Sequence, residues 1–213
     1  MASFPFKKAV FVSIEAVLFD LGNVLIRWEP EAPYRALIPD TEERRRFLAE
    51  VCTLAWHAPS DAGRPWAEMI AEKVAEYPQH EPLIRAWRER FHEMLTGPID
   101  GTVALLEQLD AQGTPLFALT NWAADTFIEA RPRFPFLERF RHITVSGEIK
   151  IMKPDPKIFL HSLEKIGLPA EKVLFIDDSA GNIASAKALG FACHHFSDPE
   201  ILALDLKNRG LLD

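Results

Sequence analysis

Residues with the chemistry of ester formation and hydrolysis follow apolar runs or turns at four places in the chain. They are Asp20, Thr120, Asn121, Lys153, Asp177 and Asp178. Asp20 ends the apolar run Val17-Leu18-Phe19, and such a run predicts a buried strand that carries a carboxylate at its C-terminal tip. A carboxylate nucleophile, a hydroxyl, an ammonium group and an acidic pair are the groups needed to form an aspartyl ester and to hydrolyse it.

The segments around these residues alternate between strand and helix patterns. Strand-like apolar runs occur at about 16–20, 115–119, 142–146, 172–177 and 191–195. Helical patterns occur at 101–112, 156–166 and 180–189, and a glycine ends each of them. This alternation predicts an α/β fold, a Rossmann-like parallel sheet with helices on both faces. Ligands of such sheets bind at the carboxyl ends of the strands, where the residues named above fall.

Residues 30–97 show helical patterns only. Prolines open this segment, Gly97-Pro98 closes it, and breaks are predicted at Pro59–Gly63 and between Pro78 and Pro82. The segment therefore predicts a helical insertion between the first strand and the rest of the sheet. We expect a catalytic core formed by residues 1–29 and 98–213.

Taken together and in this order, the four segments resemble the motifs of the haloacid dehalogenase superfamily, most of whose members are phosphatases. The resemblance covers nearly the whole chain and rests on Phe19-Asp20-Leu21-Gly22-Asn23-Val24-Leu25, Thr120-Asn121, Lys153-Pro154 and Asp177-Asp178. The first of these is similar to the form found in a subgroup that includes sugar-phosphate phosphatases. The resemblance implies that residues 30–97 are a cap domain, which closes over the site, excludes water and selects the substrate.

For the chemistry, the resemblance implies a phosphatase of small phosphorylated metabolites that depends on Mg²⁺ and forms an aspartyl phosphate on Asp20. Mg²⁺ prefers hard oxygen ligands. Its ligands by resemblance are the Asp20 carboxylate, the backbone carbonyl of Gly22 and the side chain of Asp178. Asp177 is either a secondary ligand or a partner of Lys153 or of a metal-bound water.

Three further residues are expected to bind the phosphoryl group. Thr120 offers a hydroxyl to a phosphate oxygen, and Asn121 orients either the phosphate or a loop. Lys153 supplies a fixed positive charge, which should also keep Asp20 ionised. Because a lysine on a loop beside a cleft seldom supports the core, we expect Lys153→Ala to damage turnover far more than folding.

Gly22 departs from the phosphatase pattern, which usually has a second Asp two residues after the nucleophile. That Asp acts as general acid and base, and such help is worth roughly 10²–10⁴-fold in rate. Three alternatives follow from its absence. The leaving group departs without protonation, as in an acyl, aryl or anomeric phosphate; a cap residue replaces the acid; or the reaction is not phosphoryl transfer. The cap candidates are His57, Asp61 and Glu29.

Two other functions stay open. In a metal-independent 2-haloacid dehalogenase, Asp20 would attack carbon, and Arg27, Arg35 or Arg64 could hold the carboxylate or halide. The Asp177-Asp178 pair argues against this reading, since by resemblance the dehalogenases of this superfamily carry fewer acids there, and two carboxylates beside an anionic substrate are costly without a metal. In a catalytically weak protein, the same residues would bind a phosphorylated ligand without turnover.

Composition bounds the remaining possibilities. The 213 residues carry a net charge of −7, which argues against nucleic acid as a partner. The expected partner is a small phosphomonoester or haloacid, and both a monomer and a homodimer are compatible with the sequence. Cys52 and Cys193 fit neither a zinc site nor a disulfide framework, and two reduced thiols are typical of a cytoplasmic protein.

No membrane segment is predicted, since no apolar stretch of the sequence is long enough to span a bilayer. Ser13 and Glu15 interrupt the apolar run that follows the basic residues near the start. We therefore expect a short N-terminal extension and no signal peptide.

Overall fold

The computed structural model of this protein describes residues 13–213. The extension expected at the N-terminus falls largely outside the described residues. In chain order the strands are β1 (Ala16–Phe19), β2 (Ile26–Trp28), β3 (Leu95–Pro98), β4 (Leu116–Thr120), β5 (His142–Val145), β6 (Val173–Asp177) and β7 (Ala192–His195). Five of them form one parallel sheet in the order β5-β4-β1-β6-β7. The predicted α/β parallel sheet is confirmed.

Strand register brings the catalytic candidates together. Phe19, the last residue of β1, pairs with Ala118 of β4 on one side and with Ile176 of β6 on the other. The residues that follow these positions therefore emerge at the same carboxyl edge of the sheet. β1 and β6 are buried along their whole length, as expected for strands covered on both faces.

Helices cover both faces of the sheet. Those that follow β3 are α7 (Asp100–Ala111), α8 (Ala124–Ala130), α9 (Ser146–Ile149), α10 (Pro156–Ile166), α11 (Ala180–Ala188) and α12 (Pro199–Asn208). Side chains of β1 alternate between two hydrophobic clusters, with Val17 and Phe19 in one and Ala16 and Leu18 in the other. Helices α7 and α12 contribute to the first cluster, and α10 and α11 contribute to the second. Burial of both faces fixes the sheet between two helical layers.

The segment between β2 and β3 is helical. It contains α1 (Tyr34–Leu37), α2 (Thr41–Glu50), α3 (Leu54–Asp61), α4 (Trp66–Glu76), α5 (Glu81–Glu89) and α6 (Phe91–Met94), with a 3₁₀ turn at Pro78–His80. Pro59 lies inside α3, which ends at Asp61. Only the end of the break predicted at Pro59–Gly63 is therefore a break in the helical segment. The division of the chain into a core and a cap domain at residues 30 and 97 stays a prediction.

A two-stranded antiparallel ribbon was missed by the sequence reading. β2 pairs with β3 and forms the connection through which the chain leaves and re-enters the sheet region. The prediction of helices only up to residue 97 is therefore wrong at its end, because Leu95–Pro98 is a strand. Strands of three or four residues are too short to show an alternating pattern, so this ribbon had no sequence signal.

Neither cysteine forms a disulfide. Burial raises the pKa of the Cys52 thiol to about 12 and that of the Cys193 thiol to about 11, which makes both thiols poor nucleophiles. Within the described part of the chain, no helix has the length and apolar character needed to cross a membrane.

Candidate active site

The ammonium group of Lys153 joins the ends of three strands. Its Nζ atom lies 2.9 Å from Oδ1 of Asp20 and 2.7 Å from Oδ2 of Asp177, and it donates to the backbone oxygen of Leu119 at 3.0 Å. An ammonium group has three N–H donors, so these partners use all of them. The side chain is 1% exposed. Lys153 therefore contributes a buried, fully paired charge.

The burial of Lys153 contradicts the expectation that this residue is a loop lysine without a role in the fold. Lys153 was expected to matter for turnover far more than for folding, because it was placed on a loop beside a cleft. Instead it is the only cation in contact with two buried carboxylates among the described residues. A buried charge that loses its partner is strongly destabilising, so the lysine also supports the fold.

Asn121 fixes the position of the lysine loop. Its Nδ2 atom donates to the backbone oxygen of Lys153 at 2.9 Å, and its Oδ1 atom accepts from the backbone N–H of Lys153 at 2.8 Å. Both hydrogen-bonding atoms of the amide are thus engaged by one residue. Of the two roles that the sequence left open for Asn121, these contacts favour orientation of the loop.

Asp177 is completely buried, and both of its oxygens are occupied. Besides its ion pair with Lys153, it accepts from the backbone N–H of Ser179 at 2.8 Å and from Nδ2 of Asn182 at 3.0 and 3.1 Å. Ser179 and Asn182 lie at the start of α11, so the helix end and the carboxylate stabilise each other. These contacts favour the role of lysine partner for Asp177.

Asp178 is exposed at the same edge, where its carboxylate oxygens complete an acidic cluster. Oxygens of Asp20, Asp177 and Asp178 lie within 4.8 Å of one another. His195 of β7 holds the Asp178 backbone, with Nε2 2.9 Å from its carbonyl oxygen. This contact of His195 has no signal in the sequence.

The electrostatics of the cluster are unbalanced, because three carboxylates share one ammonium group. Burial raises the pKa of Asp20 to about 8, against the pull of Lys153, and Asp177 adds to the rise. Burial and Asp177 also raise the pKa of Asp178. Burial disfavours the charge of Lys153, but Asp20 and Asp177 outweigh it and raise its pKa. Burial thus opposes the ionised form of Asp20, and Lys153 favours it.

The donor set fits a hard divalent cation. Carboxylates and backbone carbonyls are the ligands that Mg²⁺ prefers, and Gly22 lines the same cavity as Asp20 and Asp178. Oδ1 of Asp20 is engaged by Lys153 and by the backbone N–H of Leu21 at 2.7 Å, which leaves Oδ2 for other partners. A second positive charge here would offset the excess of carboxylates.

Gly22 lies in a tight turn behind the nucleophile candidate. Asn23 has φ 54°, a conformation that Asn adopts more readily than most residues. Its backbone N–H donates to Ile26 at 2.8 Å, and its side chain accepts from the N–H of Trp28 at 3.2 Å. A Cβ atom added at Gly22 would meet nothing within 4 Å, so the missing Asp is not excluded by space.

A cavity of about 540 Å³ lies above these groups. Its floor is polar and is formed by Asp20, Gly22, Asn23, Thr120, Asn121, Lys153, Asp178, Ser179 and Asn182. Its walls are formed by Ile26, Trp28, Leu54, His57, Asp61, Phe91, Leu95 and Trp122. Residues of the ribbon and of the helical segment thus close the space over the carboxyl edge of the sheet.

Two of the three cap candidates for the missing acid lie together in this wall. His57 accepts a hydrogen bond from Nε1 of Trp87 on its Nδ1 atom at 3.1 Å, and its Nε2 atom lies 3.4 Å from Oδ1 of Asp61. Because an indole N–H only donates, the proton of neutral His57 is on Nε2, facing Asp61. Glu29 is outside the described lining and pairs with Arg35 at 3.0 Å and with Thr96.

The arginines considered as holders of a carboxylate or halide are also elsewhere. Arg27 donates to the backbone oxygen of Pro98, Arg35 pairs with Glu29, and Arg64 pairs with Glu72. None of the three is among the described residues that line the cavity. The residues that the sequence reading missed in the wall are Trp28 and Trp122, which belong to no catalytic motif.

The parallel sheet, the buried Asp-Lys-Asp cluster at its carboxyl edge and the helical segment above it define a protein of the α/β class with a carboxylate at the centre of its site. The sequence profile of the haloacid dehalogenase-like hydrolases matches residues 63–195, which is more than half of the chain. The chain belongs to this family of hydrolases, as its motifs predicted.

Its relatives include phosphatases. The chain is 24% identical over 204 residues to a sesquiterpene phosphatase of Aspergillus oryzae, covering 92% of this chain and 96% of that protein. It is 26% identical over 188 residues to an N-acetylmuramic acid 6-phosphate phosphatase of Pseudomonas aeruginosa, covering 83% and 79%. A family enzyme of Bacteroides thetaiotaomicron, solved as a magnesium complex, has the same fold, with a TM-score of 0.67, 22% identity and coverage of 87% and 94%.

Removal of the Lys153 charge should destabilise the protein strongly. In Lys153→Met the side-chain volume is nearly kept, but Asp20 and Asp177 lose their cation, and we expect a loss of about 3–5 kcal/mol in the free energy of unfolding. Urea unfolding measures it. Lys172→Met, which removes the exposed pair with Glu15, is the control and should change stability by about 1 kcal/mol or less. Equal stability of both variants would contradict the structural role of Lys153.

Proposed function

We propose that this hydrolase is a Mg²⁺-dependent phosphatase of small phosphomonoesters, with Asp20 as the nucleophile. The observation that carries the proposal is the position of Asp20, a carboxylate held by Lys153 on the floor of a cavity and beside the uncompensated charge of Asp178. The phosphatases among the relatives support the same reaction.

Magnesium would be held by the Asp20 carboxylate, the Gly22 carbonyl and the Asp178 side chain. When bound, it supplies the positive charge that draws a phosphate group into this acidic site. Asp177 would serve the site indirectly, since Lys153, Ser179 and Asn182 already occupy its oxygens.

In the proposed first step, Asp20 attacks phosphorus in line with the leaving oxygen. A bond forms between the carboxylate and phosphorus, the bond to the leaving oxygen breaks, and the product is an aspartyl phosphate. The backbone N–H of Leu21 and the ammonium group of Lys153 hold Oδ1 of the nucleophile in place. The buried Thr120 hydroxyl lies in the cavity floor and would donate to a phosphate oxygen.

A proton must reach the leaving oxygen, and Gly22 cannot supply it. We assign this task to Asp61, with His57 as its positioning residue. Both nitrogens of His57 are engaged, by Trp87 and by Asp61, so the second carboxyl oxygen of Asp61 is the atom of this pair that is open to a substrate. Asp61 would give its proton to the leaving oxygen and take one from the water that hydrolyses the aspartyl phosphate.

Dehalogenation is less well supported. The carboxylate of a 2-haloacid needs a cation, and the one ammonium group among the described lining residues is already shared by two aspartates. The arginines that could have held it point to other partners.

Phosphate release from a panel of phosphomonoesters tests the proposed reaction. We expect release that requires Mg²⁺, stops in chelator and falls by about 10³-fold or more in Asp20→Asn, since loss of a nucleophile removes its whole contribution. Release that persists in Asp20→Asn would contradict the nucleophile assignment. Halide release from 2-haloacids in chelator would favour the dehalogenase instead.

Magnesium should raise the melting temperature more at pH 8 than at pH 6. The Asp20 pKa is raised from 3.8 to about 8, so between these values the metal-free folded protein holds a proton that the unfolded chain has released. Stability in chelator therefore falls as pH rises toward 8. A cation that binds the ionised carboxylate gains affinity over the same range, by about tenfold or more.

Thermal melts with Mg²⁺ and with chelator at the two pH values measure this difference. In Asp20→Asn the pH dependence of the magnesium effect should largely disappear. A magnesium effect of equal size at pH 6 and pH 8 in the unaltered protein would count against direct binding to Asp20.

Asp61→Asn should slow the hydrolysis of esters with poor leaving groups selectively. For an alkyl phosphate we expect kcat to fall by about 10²-fold, while 4-nitrophenyl phosphate, whose leaving group needs little protonation, changes much less. The exposed Glu68→Gln in α4 is the control and should behave like the unaltered protein. Adding Gly22→Asp to Asp61→Asn should restore part of the alkyl phosphate activity, because a Cβ atom at this position meets nothing within 4 Å. A uniform loss for both esters would show that Asp61 is not the acid.

A further inference from the structure

Among the residues that the structure describes, no lysine or arginine lines the cavity beyond its floor. Lys153 is the only lysine or arginine among the described lining residues, and its three donors are taken by Asp20, Asp177 and Leu119. The one carboxylate in the walls belongs to Asp61. A second anionic group on a substrate would therefore lose its hydration against these walls with no lysine or arginine of the described lining to pair with it, which is costly in a partly buried site.

The walls also offer few hydrogen bonds to a polyol. Nε1 of Trp122 donates to Oγ1 of Thr126 at 3.1 Å, and Nε1 of Trp28 is a buried donor that has no partner among the described residues. His57 and Asp61 contact each other, and the second carboxyl oxygen of Asp61 is the atom assigned to the leaving oxygen, so it is not available to the other hydroxyls of a polyol. A substrate hydroxyl placed against these walls would lose its hydration with little in return, and such unpaired polar groups reduce affinity strongly.

What the walls do offer is apolar surface. Trp28, Phe91 and Trp122 contribute aromatic rings, and Leu54 and Leu95 extend the surface toward the mouth. The cavity volume of about 540 Å³ lies within the range of pockets that enclose small organic ligands. Apolar area removed from water is the main source of affinity that such walls can provide.

We infer that the phosphomonoester taken by this site carries an uncharged, largely apolar alcohol, such as an arylalkyl or branched alkyl alcohol, in preference to a polyol or an acid. The inference rests on the proposed phosphatase function for its chemistry, and it extends that function to the substrate class. The phosphate would occupy the polar floor, and the body of the alcohol would lie against the aromatic walls.

Binding of matched phosphonates to the unaltered protein with Mg²⁺ tests this inference without turnover. The three probes share a phosphonate head and differ in the body: 3-phenylpropylphosphonate, 2-hydroxyethylphosphonate and 2-carboxyethylphosphonate. By calorimetry we expect the phenylpropyl compound to bind about tenfold or more tighter than the hydroxyethyl compound, and the carboxyethyl compound to bind most weakly. Equal or tighter binding of either polar probe would overturn the inference.

A charge placed in the wall should change this order. Leu54 lies in the cavity wall and is 59% exposed, so Leu54→Arg should fold normally and should strengthen binding of the carboxyethyl probe relative to the phenylpropyl probe. Leu204, 61% exposed on α12, offers the matched control Leu204→Arg, which should leave the ratio unchanged. An unchanged ratio in Leu54→Arg would contradict the claim that wall charge excludes anionic bodies.

Phosphate release separates this inference from the proposed function. If the protein hydrolyses neither 2-phenylethyl phosphate nor glucose 6-phosphate, the phosphatase proposal fails, while the phosphonate order still decides which body the cavity prefers. If it hydrolyses glucose 6-phosphate with the higher kcat/KM, the phosphatase proposal stands and the inference of an apolar alcohol fails.

Discussion

A single buried cation holds the carboxyl edge of this sheet together. Lys153 lies between Asp20 and Asp177 and also binds the last backbone oxygen before Thr120, so strands β1, β4 and β6 meet at one ammonium group. Charges this deeply buried are tolerated only when they are paired and hydrogen-bonded. The fold therefore constrains the site, because moving any of these strand ends would leave a charge unpaired. The contacts of Asn121 with the lysine backbone and of Asn182 with Asp177 extend the same network outward to the loops and to α11.

The charge of this cluster also explains why a metal is a reasonable partner. One ammonium group cannot balance three carboxylates, and burial raises the pKa of Asp20 well above its ordinary value. Only the ionised carboxylate can attack phosphorus, so a raised pKa works against the proposed role of Asp20. A divalent cation would both restore the ionised form and oppose the charge of an incoming phosphate. The charge balance of the three carboxylates and the proposed reaction thus both favour a second positive charge beside Asp20 and Asp178.

Much of this arrangement could be predicted from the sequence, because apolar runs that end in polar residues locate the tips of parallel strands. Asp20, Thr120 and Asp177 were placed correctly at one edge by this signal alone. The pattern could not show that Lys153 is fully buried, since the partners of a loop residue depend on the packing of distant strands. It also could not find the short ribbon of β2 and β3, or the rings of Trp28 and Trp122 in the cavity wall. Those features arise where the helical segment meets the sheet, and no local periodicity records such a contact.

The division of the cavity into a charged floor and apolar walls has a consequence for selectivity. Floor contacts are made to the phosphate and are the same for every phosphomonoester, so they cannot distinguish one alcohol from another. Discrimination must come from the walls, and apolar walls discriminate unevenly. They reject charged or strongly hydrated bodies because desolvation is not repaid, whereas one methylene more or less changes binding by only about tenfold to a hundredfold. If the inferred substrate class is right, we expect the enzyme to reject anionic and polyol substrates and to accept many apolar alcohols, and its specificity to change most when a wall residue such as Leu54 acquires a charge.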